Sequence, residues 1–129
     1  MLVKTHSATV NGLTALSVVV EIHTTKSAQT NFIMVGLPDN AVRESRSRVT
    51  AALQNSKIFL REPQTTTVNL APADVRKEGT GFDLPVAIGM VAAGSIIPTD
   101  MLDRYMLVGE LGLDGSIRPI KGALPIAIK

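Results

Sequence analysis

The sequence has no cysteine and no tryptophan, and only three phenylalanines and one tyrosine among its 129 residues. Without cysteine there is no thiolate to ligate zinc, hold an iron–sulfur cluster or act as a nucleophile, and no disulfide framework. The four aromatics, Phe32, Phe59, Phe82 and Tyr105, are too scattered along the chain to suggest a base-stacking platform. No stretch reaches the roughly 18 uninterrupted apolar residues of a membrane span, and the opening MLVKTHSATVNG lacks the apolar run of a secretory signal. A cytoplasmic domain with no membrane contact is the default expectation. A P-loop is missing as well: none of the ten glycines precedes a lysine, so this chain does not cradle a triphosphate in that way.

What is there is one domain's worth of short, patterned elements. Hydrophobic residues make up 45% of the chain, and a chain of this length buries about two-thirds of its unfolded surface on folding. Leu16, Val18, Val20 and Ile22 alternate with Ser17, Glu21 and His23, the period of a strand with one buried face. Asn11-Gly12 before it predicts a two-residue hairpin between strands over 2–10 and 13–24, with paired positions summing to 23. A third strand over 32–35 completes a predicted three-stranded meander. Pro38 and Asp39 suit the first turn of a helix that runs to Asn55, with Val42, Val49 and Leu53 on one stripe beside Ser45 and Ala52. A strand follows over 65–70, then a loop bearing Pro, Gly and charge. After Asp83, residues 84–93 are apolar all round, which places that helix in the core, and Pro85 is tolerated in its first turn. Residues 106–111 and 116–119 surround Asp114-Gly115, a second hairpin signal, and 122–129 read as a helix opening inside which the sequence stops. The order β-β-β-α-β-α-β-β-(α) predicts an α+β fold with helices on one face of a sheet.

The net charge of +2 is unevenly spread. Between Arg43 and Glu62 lie five basic residues (Arg43, Arg46, Arg48, Lys57, Arg61) against two acidic ones. Arg43 and Arg46 border the apolar stripe at i, i+3 spacing, as a fork for phosphates or as a solvated flank making subunit ion pairs, while Arg48 lies away from them. Gly79-Thr80-Gly81 reads as a turn feeding the helix after Asp83, or as an anion-binding helix end. His6 and His23 are the two histidines. The predicted register sets His6 opposite Ser17 and far from His23, which disfavours a two-histidine metal site. Asp39, Asp74, Asp83, Asp100, Asp103 and Asp114 sit in loops and near helix starts, where capping and turn roles suffice. No metal or cofactor is expected in this chain.

Three segments, MVGLPDNAVRESRSRVTAAL at 34–53, NLAPADVRKEGTGFDLPVAIGMVAA at 69–93 and LVGELGLDGSIRPIKGALPIA at 107–127, together resemble the N-terminal domain of the bacterial ComM/YifB family of magnesium chelatase-related, ChlI-like AAA+ ATPases. The resemblance covers nearly the whole chain. It implies the two-layer α+β sandwich of the Lon protease domain, shared with domain two of a small-subunit ribosomal protein, as one Lon-like domain over 1–129. It further implies a parent protein that continues into an AAA+ ATPase domain using ATP and Mg, assembles as a hexameric ring, and in ComM performs DNA branch migration. Lon peptidases pair a nucleophilic Ser with a Lys. By similarity of segments 77–83 and 119–124, Gly81 stands at the Ser position and Leu124 at the Lys position, leaving neither nucleophile nor base. A shifted dyad of Thr80 and Lys121 is the cryptic-peptidase alternative. The resemblance therefore implies a non-catalytic module for ring assembly and DNA, with Arg43, Arg46, Arg48 and Lys77 as the phosphate or inter-subunit contacts. A protein-binding adaptor presenting its exposed sheet face is a further alternative.

Overall fold

Strand β1 (Leu2–Asn11) pairs antiparallel with β2 (Thr14–Lys26), in a computed structural model that describes residues 1–11, 14–61 and 63–120. Asn11 pairs with Thr14 and His6 with Val19, so paired positions sum to 25 rather than the expected 23. The difference has a simple origin. A slip of two residues keeps every side chain on its own face, so the alternation that announces the strands cannot choose between the two registers.

The expected meander is also corrected. β3 (Asn31–Val35) does not pair with β2; it runs parallel to β4 (Gln64–Ala71), which lies between them, giving the mixed order β1-β2-β4-β3. Between β3 and β4 the chain makes α1 (Asn40–Arg43) and α2 (Ser45–Asn55), the predicted helix interrupted at Glu44. The Asp39 carboxylate caps α1 by accepting from the Val42 N–H at 2.8 Å. Helix α3 (Asp83–Ala93) follows, then a 3₁₀ turn at Leu102–Arg104 and a short hairpin of β5 (Glu110–Leu111) and β6 (Ile117–Arg118). The helical opening expected over 122–129 lies outside the described residues.

The core forms between one face of the sheet and the helices. Val18, Val20, Ile22, Val68 and Leu70 meet Val42, Val49, Phe82 and Val86, all essentially without exposure. A helix with nine of eleven residues buried is the outcome its all-round apolar sequence predicts. α3 lies so close to β2 that a Cβ on Gly89 would sit 2.9 Å from Ile22 Cγ1. Gly36, at φ 104°, turns the chain out of β3 where a side chain would overlap the Leu70 carbonyl. The result is an α+β domain with a mixed sheet. No helix among the described residues is long and apolar enough to cross a membrane.

Candidate functional site

The two expected arginine contacts on the first helices reach solvent. Arg43 and Arg46 are exposed, and neither takes part in an ion pair among the described residues. Arg43 shares a surface hollow of about 430 Å³ with Arg76, beside Leu37 and Pro38.

Arg48 is different. Its Nε and Nη2 donate to the Asp83 carboxylate at 2.6 and 3.0 Å, and Nη2 also donates to the Ala41 carbonyl at 2.7 Å. Asp83 is wholly buried and its Oδ2 also accepts the Leu111 N–H at 3.0 Å. The hydrogen bond to Asp83 holds the Arg48 pKa above its ordinary value, against the opposing pull of burial. This bidentate pair ties α2, α3 and β5 together, so Arg48 is committed inside the protein rather than offered to a phosphate.

Lys77 is corrected for a related reason. The backbone of Lys77 bridges Pro38: its N–H donates to the Leu37 carbonyl and its carbonyl accepts the Asp39 N–H, both at 3.0 Å. That pairing turns the lysine side chain inward, where it has no exposure and its ammonium donates to the Pro72 carbonyl. Desolvation lowers its pKa, with the negative charge of Asp74 opposing. The neighbouring Arg76 and Glu78 face outward and pair at 3.6 Å.

Gly79, Thr80 and Gly81 line a cleft of about 450 Å³ with Asp39, Glu78 and Glu110. Three carboxylates, and no lysine, arginine or histidine among the described lining residues, make this cleft acidic. The Gly79 N–H points to the Asp39 carboxylate at 3.3 Å, so this turn faces a carboxylate of the chain itself. At Gly81 a Cβ would meet Val108 Cγ1 at 3.1 Å and Ile120 Cδ1 at 3.4 Å; aliphatic side chains crowd the space beside the position where the resemblance expects a serine. Lys121 and Leu124 lie outside the described residues. His6 pairs with Asp103 at 2.9 Å, and no metal-ligating cluster exists among the described residues.

The family model for subunit ChlI of Mg-chelatase matches residues 20–129. The chain belongs to this magnesium chelatase-related family. It is 42% identical over 122 residues to the uncharacterized protein YifB of Escherichia coli, covering 95% of this chain and 24% of that one. To competence protein ComM of Haemophilus influenzae it is 41% identical over 114 residues, with 88% and 22% covered. An uncharacterized protein of Mycobacterium tuberculosis is 39% identical over 95 residues, with 74% and 19% covered. The chain thus spans about a quarter of the length of the first relatives it matches.

In this ChlI-family chain the sequence reading missed Asp83 as the anchor of Arg48, because the partners lie 35 residues apart and each has an ordinary local role. It also missed Arg76 as the cation that faces out beside the buried Lys77. A single bridge pairing reverses which of two adjacent cations is exposed, and nothing local in the composition marks it.

Proposed function

We propose that this chain is a non-catalytic, Lon-like module of a magnesium chelatase-related AAA+ ATPase, supporting ring assembly and engaging DNA through Arg43 and Arg46. Family membership, together with the exposure of these two arginines and the lack of an ion pair to either among the described residues, carries the reading. The mixed sheet with helices on one face is compatible with a Lon-type two-layer sandwich. In this reading ATP and Mg belong to the AAA+ part of the parent, which forms a hexamer in the cytoplasm. The work of that parent is DNA branch migration, and the naming of the Haemophilus relative as a competence protein accords with it. Gly81 supplies no nucleophile, and the described lining residues include no lysine to serve Thr80 as the base of a Lon-type dyad. Arg43 and Arg46 act on phosphates, without reading sequence.

The test uses the full-length parent with Arg43→Ala and Arg46→Ala combined. Two lost phosphate contacts weaken duplex affinity at low salt and reduce the slope of log K against log salt by about two. Unchanged affinity and unchanged slope would remove DNA from the role of this surface.

A further inference from the structure

The segment that leaves α2 carries a second feature, apart from the arginines. α2 closes with Lys57 in the left-handed conformation, at φ 59°, and the Ile58 N–H reaches back to the Leu53 carbonyl at 2.9 Å. This is the long bond of a Schellman end, where glycine is the usual residue. Beyond it burial alternates: Ile58 and Leu60 pack against the core, while Lys57, Phe59 and Arg61 are exposed. Phe59 and Arg61 thus share the exposed side of this alternation, with Lys57 at the turn that leads into it. Phe59 is 73% exposed, more than any other large apolar side chain described. Neither Lys57 nor Arg61 has an ion pair among the described residues. Thr50 and Gln54, on the outward face of α2 beyond Arg46, share a small hollow with the phenyl ring.

We propose that Lys57, Phe59 and Arg61 form a stacking site for one unpaired nucleotide of a single-stranded nucleic acid. The phenyl ring stacks on the base, and the two cations meet the phosphates on either side of it. Charge complementarity selects this occupant: a largely exposed ring flanked in sequence by two cations that make no ion pair among the described residues matches a planar base carried on an anionic backbone. A duplex keeps its base faces covered by their neighbours and offers the ring no face to stack on. The other exposed aromatic described, Tyr105, is 56% exposed and has one adjacent cation, Arg104, against the two that flank Phe59. The site rests on the DNA-engaging reading above and adds to its duplex contacts a place for unpaired strand.

The absence of tryptophan from these 129 residues supplies the probe, since in this chain Phe59→Trp carries the sole indole. Its emission is followed on titration with oligothymidylate and with a duplex of equal length, beside anisotropy of the labelled strands. The expected result is quenching by oligothymidylate and none by duplex. Phe59→Ala weakens oligothymidylate binding roughly five-fold or more, while Tyr105→Ala leaves it within about two-fold. Oligothymidylate binding that neither quenches the indole nor responds to Phe59→Ala overturns the stacking site and leaves the DNA-engaging reading intact. Absence of binding to either strand form overturns both. Self-association that Phe59→Ala abolishes, with no quenching by oligothymidylate, assigns the ring to a protein contact and also overturns the proposal.

Discussion

Replacing Arg48 with methionine tests how the helical layer is fastened. Methionine keeps much of the aliphatic stem's packing and removes the guanidinium. Two charge-assisted hydrogen bonds to Asp83 disappear, with a third to the Ala41 carbonyl, and among the described residues the Asp83 carboxylate retains only the Leu111 N–H. The carboxylate is then buried with no countercharge in contact. Removing one partner of a buried pair costs about 3–5 kcal/mol. The Arg48 side chain is 18% exposed, so water reaches part of the vacated space and the lower end of that range applies, about 3 kcal/mol. For a domain of this size that loss lowers Tm by about 10 °C. Urea unfolding followed by circular dichroism measures it directly. Adding Asp83→Asn keeps an acceptor for Leu111 and removes the stranded charge, so the double variant recovers at least half of the loss. An Arg48→Met cost below about 1 kcal/mol, the level of an exposed ion pair, would refute the claim that this pair is an internal fastening.

Two further outcomes follow from the geometry. Gly36→Ala forces a Cβ onto the Leu70 backbone at a positive φ, which costs at least about 2 kcal/mol in the same urea experiment; a neutral result would mean the β3 exit relaxes freely. Lys77 has its pKa lowered in the folded state, so the unfolded chain binds more protons between that value and the ordinary lysine pKa, and stability rises with pH across the interval. Lys77→Met removes this rise, and parallel stability curves for the two proteins between neutral pH and pH ~10.5 would contradict the burial of the ammonium.

The elements themselves were legible because each rests on a local period. Alternation from Leu16 to Ile22 announced β2, the stripe of Val42, Val49 and Leu53 announced the buried side of α1 and α2, and unbroken apolarity announced α3. Pairing was less accessible. Whether β3 joins β2 or β4 leaves the inward side chains Phe32 and Met34 on the same face, so the hydrophobic pattern is silent about sheet order, as it is about a two-residue slip of register. Of the four cations expected as contacts, Arg43 and Arg46 do face solvent, on the flanks of the buried stripe. Arg48 and Lys77 were misread because a distant carboxylate and a backbone bridge decide their fate. Phe59 was passed over as an isolated aromatic; the alternation of Lys57, Phe59 and Arg61 with Ile58 and Leu60 was the signal available.

The position of β4 between β2 and β3 also matters while the protein is being made. A nascent chain that has emerged only as far as Pro63 already contains β1, β2 and β3, yet β3 has no partner strand and β2 presents an open edge along its apolar length. Both are closed by the same later segment, through pairings such as Val20 with Leu70 and Val35 with Asn69. Until those residues arrive, two unpaired edges are displayed at once, and neighbouring chains on one message can pair with them. The interval between the synthesis of β3 and of β4 is therefore the stretch of translation in which both strands lack the partner they share.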